Sequence, residues 1–143
     1  MILILEDNDD RTRRFIATAG AIAPGVPVRV WRIAHAMIDD LLDTLEHARL
    51  ISLDHDLNQL PCEADPGCGY DVVKLMAELI PCCPVIIHTS NGERGSWMEG
   101  ELTRAGWTYD RVYPFGDDWF ETQWEAVVRA RLNPKTPDPP HPD

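Results

Sequence analysis

At 143 residues the chain is long enough for one ordinary domain and too short for two, and 44% apolar with 26% charged residues is the balance of a globular protein. Thirteen basic residues against 24 acidic ones leave a net charge of −11, a field that opposes a phosphate backbone and disfavours direct DNA or RNA binding. No apolar run approaches the ~20 residues of a membrane span and Met1–Leu5 is too short for a signal peptide, so no membrane partner is expected and the expected location is the cytoplasm.

In chain order, Met1–Leu5 is a continuous apolar run that stops at Glu6-Asp7, as a buried parallel strand does. Asp9 or Asp10 can cap a helix running to about Gly20, and Pro24-Gly25 turns the chain into a second strand, Val26–Trp31. Ala34–Glu46 carries Met37, Ile38, Leu41, Leu42 and Leu45 at helical spacing. Leu50–Leu53 is a third strand, followed by an irregular stretch over 58–69 and a helix from Tyr70 to Ile80. Pro84–His88 is a fourth strand, Glu93–Ala105 a fourth helix, Arg111–Tyr113 a short fifth strand and Asp117–Leu132 a fifth helix. Residues 133–143 hold five prolines and are expected to form a disordered tail beyond a single domain, 1–132.

Five βα units in succession predict the α/β class, a doubly wound parallel five-stranded sheet with helices on both faces. Cys62, Cys68, Cys82 and Cys83 lack the paired C-x2-C spacing of a zinc ribbon and are read as reduced thiols. No G-x-G-x-x-G or Walker-type loop occurs, so neither dinucleotide nor P-loop binding is indicated. The five tryptophans are assigned to the core.

Ligands of such folds bind beyond the carboxyl ends of the strands. Those ends are Glu6-Asp7-Asn8, Arg32, Asp54-His55-Asp56, His88-Thr89-Ser90-Asn91 and Pro114-Phe115-Gly116. The period of two places Asp54 and Asp56 on one side and His55 on the other. Glu6, Asp7, Asp54 and Asp56 at one rim repel unless a cation intervenes, and a hard divalent ion, Mg²⁺ or Mn²⁺, suits such oxygen ligands. His55 and His88 can supply an acid and a base near neutral pH. Thr89, Ser90 and Asn91 can position phosphate oxygens, and Arg94 is the nearest candidate for bidentate phosphate binding. The implied partner is a small phosphorylated substrate, and a protein partner stays open.

Glu6-Asp7, Asp54 and Thr89 or Ser90 resemble the receiver domain of response regulators, a flavodoxin-like fold, over almost all of 1–132. That family places an acidic pair after strand one, a phosphoacceptor Asp after strand three, a Thr or Ser after strand four and a Lys after strand five. The lysine is absent: Tyr113-Pro-Phe-Gly-Asp117 follows strand five, and the two lysines are Lys74 and Lys135. Leu53-Asp-His-Asp-Leu57, Gly69-Tyr-Asp71 and Ile87-His-Thr-Ser-Asn91 further resemble a divergent group, the cyclic-phosphate processing receiver domains. The resemblance implies action on cyclic phosphates of nucleotide metabolism, with histidines and acidic residues forming a hydrolytic site. The expected activity is a metal-assisted phosphoesterase that opens the cyclic phosphate of a nucleotide or ribose-like substrate, with Asp54, His55 and His88 as catalytic residues. The alternatives are a degenerate receiver that signals through Asp54 or through protein contacts, and a protein that sequesters a nucleotide.

Overall fold

The computed structural model describes residues 1–133, and the proline-rich segment from 134 onward lies outside the described residues. Five parallel strands, β1 (Ile2–Leu5), β2 (Val28–Trp31), β3 (Leu50–Leu53), β4 (Val85–His88) and β5 (Tyr109–Val112), form one sheet in the order β2-β1-β3-β4-β5. Helices α1 (Asp9–Ile22), α2 (Ala34–Thr44), α3 (Gly69–Met76), α4 (Gly92–Arg104) and α5 (Ala126–Leu132) connect and follow them. This is the flavodoxin-like arrangement of a receiver domain, in which β1, β3 and β4 are covered on both faces.

The continuous apolar strands are explained by that double cover. Ile2, Ile4, Leu50 and Ile86 point to one face and pack with Phe15 and Ala19 of α1 and with Trp124 and Val128. Leu3, Leu5, Ile51, Leu53, Val85 and Ile87 point to the other, against Met37 and Leu41 of α2, Val72 and Met76 of α3, and Met98 and Leu102 of α4. Burying roughly a dozen such side chains at ~1.5–3 kcal/mol each is what opposes the entropy of ordering the chain. Period two then carries an important exception: Ser52 and His88 fall on the α1/α5 face, polar groups in line with isoleucines.

Several boundaries differ from the sequence expectation. Asn8, not Asp9 or Asp10, caps α1, its side-chain oxygen accepting the Arg11 N–H at 2.9 Å. Helix α3 stops at Met76 rather than Ile80, because the next residues close in i→i−3 turns and the Trp107 indole takes the Met76 carbonyl at 3.0 Å. Strand β5 starts two residues earlier than expected and ends at Val112. The last helix opens as a π-helical segment, Phe120–Glu125. Trp119 before it and Phe120 and Trp124 within it turn inward, and all three meet Phe15 of α1. All four cysteines are free thiols. Among the described residues no helix is long and apolar enough to cross a membrane.

Candidate functional site

The site is built where β1, β3 and β4 end. Glu6 follows β1 directly and is wholly buried. Its Oε1 accepts the Asn8 N–H at 3.0 Å, and its Oε2 lies 3.0 Å from His88 Nε2 and 3.8 Å from the Arg11 guanidinium. Burial alone would raise the Glu6 pKa, but the hydrogen bond and charge of His88, with Arg11 and the Asn8 N–H, outweigh it and hold the carboxyl below the usual range.

His88, the last residue of β4, is also wholly buried, with the edge of its ring against Phe15. Its Nδ1 lies 2.7 Å from Ser52 Oγ, which in turn receives the Trp124 indole N–H at 3.0 Å. Trp124 can only donate, so Ser52 Oγ accepts from it. A carboxylate can only accept, so His88 Nε2 donates to Glu6. The chain Trp124, Ser52, His88, Glu6 is satisfied at every link, as a buried polar network must be.

Asp54 follows β3 and is nearly buried, one oxygen accepting the His55 N–H at 2.7 Å. Burial raises its pKa to about 7; Glu6 pushes in the same direction, against the opposing pull of His88, Arg11 and the His55 N–H. One ligand atom each from Glu6, Asp54 and His88 lies within 4.8 Å of the others, so this cluster could hold a divalent cation. Glu6 and Asp54 supply hard oxygen donors that suit Mg²⁺ or Mn²⁺, while both nitrogens of His88 are taken up by Ser52 and Glu6.

The other residues of the expected metal set lie outside that cluster. Asp7 caps the β3–α3 loop, accepting the Asn58 N–H at 2.5 Å. Asp56 is 63% exposed, bonded to His55 Nδ1 at 2.8 Å and to Asn91 Nδ2 at 3.3 Å. Asp54 and Asp56 do not share a side, because β3 ends at Leu53 and its alternation does not extend to them. His55 is itself mostly buried, but its Nε2 has no protein partner among the described residues and is not sealed from solvent.

Thr89 is buried and accepts the Asn91 N–H at 3.2 Å, Ser90 is exposed, and Asn91 caps α4 by accepting the Arg94 N–H at 3.0 Å. The Arg94 guanidinium does not reach towards Asp54; it lies over the Trp97 ring, 3.9 Å from its centroid. Trp97 is 42% exposed, the one tryptophan that the structure leaves out of the core.

Two residues that matter here carry no motif. Arg111, in β5, is only 7% exposed, and its guanidinium donates to the carbonyls of Thr89 at 3.0 Å and Asn91 at 3.3 Å, fixing the β4–α4 turn. Gly95 makes room for it, since a Cβ there would stand 1.7 Å from Arg111 Nη1. No sequence signal marks this pairing, since β5 reads Tyr109-Asp-Arg-Val112 with two adjacent charges. Gly69 plays a similar part at the start of α3, where a Cβ would stand 2.0 Å from the Asp54 carbonyl oxygen.

A receiver-type α/β domain with a buried carboxylate–histidine cluster at its strand ends is the class that fold and site define. The model of the cyclic-phosphate processing receiver domain matches residues 1–104, and the chain belongs to that family. Solved receivers share the fold at low identity. The response regulator receiver domain from Rhodospirillum rubrum is 17% identical with a TM-score of 0.60, over 90% of this chain and 87% of that one. The Mn²⁺-bound form of the response regulator Rcp1 is 17% identical with a TM-score of 0.58, over 94% and 95%. The BeF3-activated DrrB receiver domain is 19% identical with a TM-score of 0.56, over 92% of each. No curated protein matches the sequence.

Proposed function

We propose that this receiver-fold protein hydrolyses a cyclic phosphate of a nucleotide or ribose-like substrate at the ends of β1, β3 and β4, with help from a divalent cation. The observation that carries the reading is the buried His88 beside Glu6 and Asp54, a group outside the receiver pattern of an acidic pair, an Asp and a Thr or Ser. The family's description as cyclic-phosphate processing and the Mn²⁺ bound by one structural neighbour support it. Glu6 and Asp54 would hold the cation, which supplies charge neutralisation at the phosphoryl oxygens and a lowered pKa for a water.

The protein's own groups divide the remaining work. His55, its Nδ1 held by Asp56, presents Nε2 at the rim, accepts a proton from the attacking water and returns one to the leaving hydroxyl. Water adds to phosphorus, one ring P–O bond breaks, and the product is a phosphomonoester with a free hydroxyl. His88 takes a different part from the one expected of it: sealed from solvent with both nitrogens engaged, it orients and holds Glu6. Thr89, Ser90 and Asn91, fixed by Arg111, form the turn that faces the phosphate oxygens.

The test is turnover of a ribose 2′,3′-cyclic phosphate with Mn²⁺, which should stop with EDTA and with Asp54→Ala. Acid-labile labelling from acetyl phosphate that is lost in Asp54→Asn, with no turnover, would replace this reading with signalling through Asp54.

A further inference from the structure

We infer that Trp97, backed by Arg94, is a stacking platform for a nucleobase, so that the substrate is a nucleoside cyclic phosphate rather than a bare sugar phosphate. This rests on the cyclic-phosphate reading above. Trp97 differs from the other tryptophans in ways that packing alone does not require. Trp31, Trp107, Trp119 and Trp124 are each at most 6% exposed, and Trp31, Trp107 and Trp124 donate their indole N–H groups to Asp40, the Met76 carbonyl and Ser52. Trp97 is 42% exposed.

Its position ties it to the rim from two sides. Asn91, the cap of α4, bonds Asp56, and Trp97 lies five residues past Gly92, about 7.5 Å along the helix. Tyr70, whose ring meets Trp97 edge-on at 6.0 Å, immediately follows Gly69, the residue pressed against the Asp54 carbonyl. The aromatic pair thus joins α3 and α4, the two helices that follow the loops carrying Asp54–His55 and Thr89–Asn91.

The charges complete the fit. Arg94 lies over Trp97 at 3.9 Å, and Lys74, which also pairs with Asp71 at 3.2 Å, lies over Tyr70 at 5.2 Å. On a chain of net charge −11, two cations set on aromatic faces of α3 and α4 suit a ligand with one π-face and one anionic group.

Two measurements on the full chain test this. The first compares kcat/KM for adenosine 2′,3′-cyclic phosphate with that for 1-O-methylribose 2′,3′-cyclic phosphate. Trp97→Ala should lower this preference about 10-fold, the size of one base–aromatic stack, mainly through KM, and Trp97→Phe should recover part of it. An equal change for both substrates, or none, would overturn the platform and leave Trp97 as packing between α3 and α4. The second is quenching of tryptophan fluorescence by adenosine 2′,3′-cyclic phosphate, expected in the parent and lost in Trp97→Phe. If neither substrate is turned over, the hydrolytic reading fails, while quenching still decides the stacking. No quenching overturns it.

Discussion

Glu6 and His88 are 82 residues apart and sit at the ends of strands that are not neighbours, yet His88 Nε2 and Glu6 Oε2 meet at 3.0 Å across the intervening β3. The bridge is possible because Ser52 of β3 is small and polar on the same face, and its hydroxyl lies 2.7 Å from the other nitrogen of the ring. It links the sheet to the π-helical segment through Trp124, so one polar chain ties the site to the core of the domain.

His88→Ala should therefore lose stability as well as turnover. It leaves the Glu6 carboxylate and the Ser52 hydroxyl buried without their partner, a loss on the order of 3–5 kcal/mol. Chemical denaturation should show it as a lowered midpoint. A variant as stable as the parent would contradict the bond network.

Asp54 makes a pH prediction of definite sign. Its folded pKa of about 7 lies above the ordinary 3.8, so between those values the folded state holds a proton that the unfolded state has released. Without metal, stability should fall as pH rises through this window, by on the order of 2–4 kcal/mol in total. Asp54→Asn should raise Tm at pH 8 in EDTA, and the gain should shrink towards pH 4. Equal shifts at both pH values would show that burial does not disfavour the ionised form.

Gly95 and Arg111 offer a test away from the acidic cluster. Gly95→Ala should displace the guanidinium, release the carbonyls of Thr89 and Asn91, and lower kcat more than it raises KM. Arg111→Met, which removes the donors and keeps the apolar stem, should act in the same direction. Unchanged kcat in both would separate the turn from the reaction.

Much of this protein was legible from apolar runs and their stopping points. The five parallel strands and the rim where Glu6, Asp54 and His88 meet follow from that pattern, because a doubly covered sheet leaves polar residues mostly at strand ends, with Ser52 the exception. The alternation could also have separated the two histidines. His88 is in phase with Ile86 and lies on a buried face, whereas His55 falls past the end of β3 where alternation stops. For the same reason Asp56 and Asp54 part company. Arg111, Gly95 and the exposed Trp97 were not legible, since their roles depend on the distance between β5 and α4 and between α3 and α4, which no local pattern encodes. The π-helical winding from Phe120 was hidden because its apolar residues also fit an ordinary helix.

The most direct test of the central claim is phosphorus NMR of the full chain with a nucleoside 2′,3′-cyclic phosphate and Mn²⁺. The account predicts that the cyclic resonance is replaced by that of a phosphomonoester, and that EDTA or Asp54→Ala prevents the change. A cyclic resonance that persists with the parent protein and Mn²⁺ would contradict it.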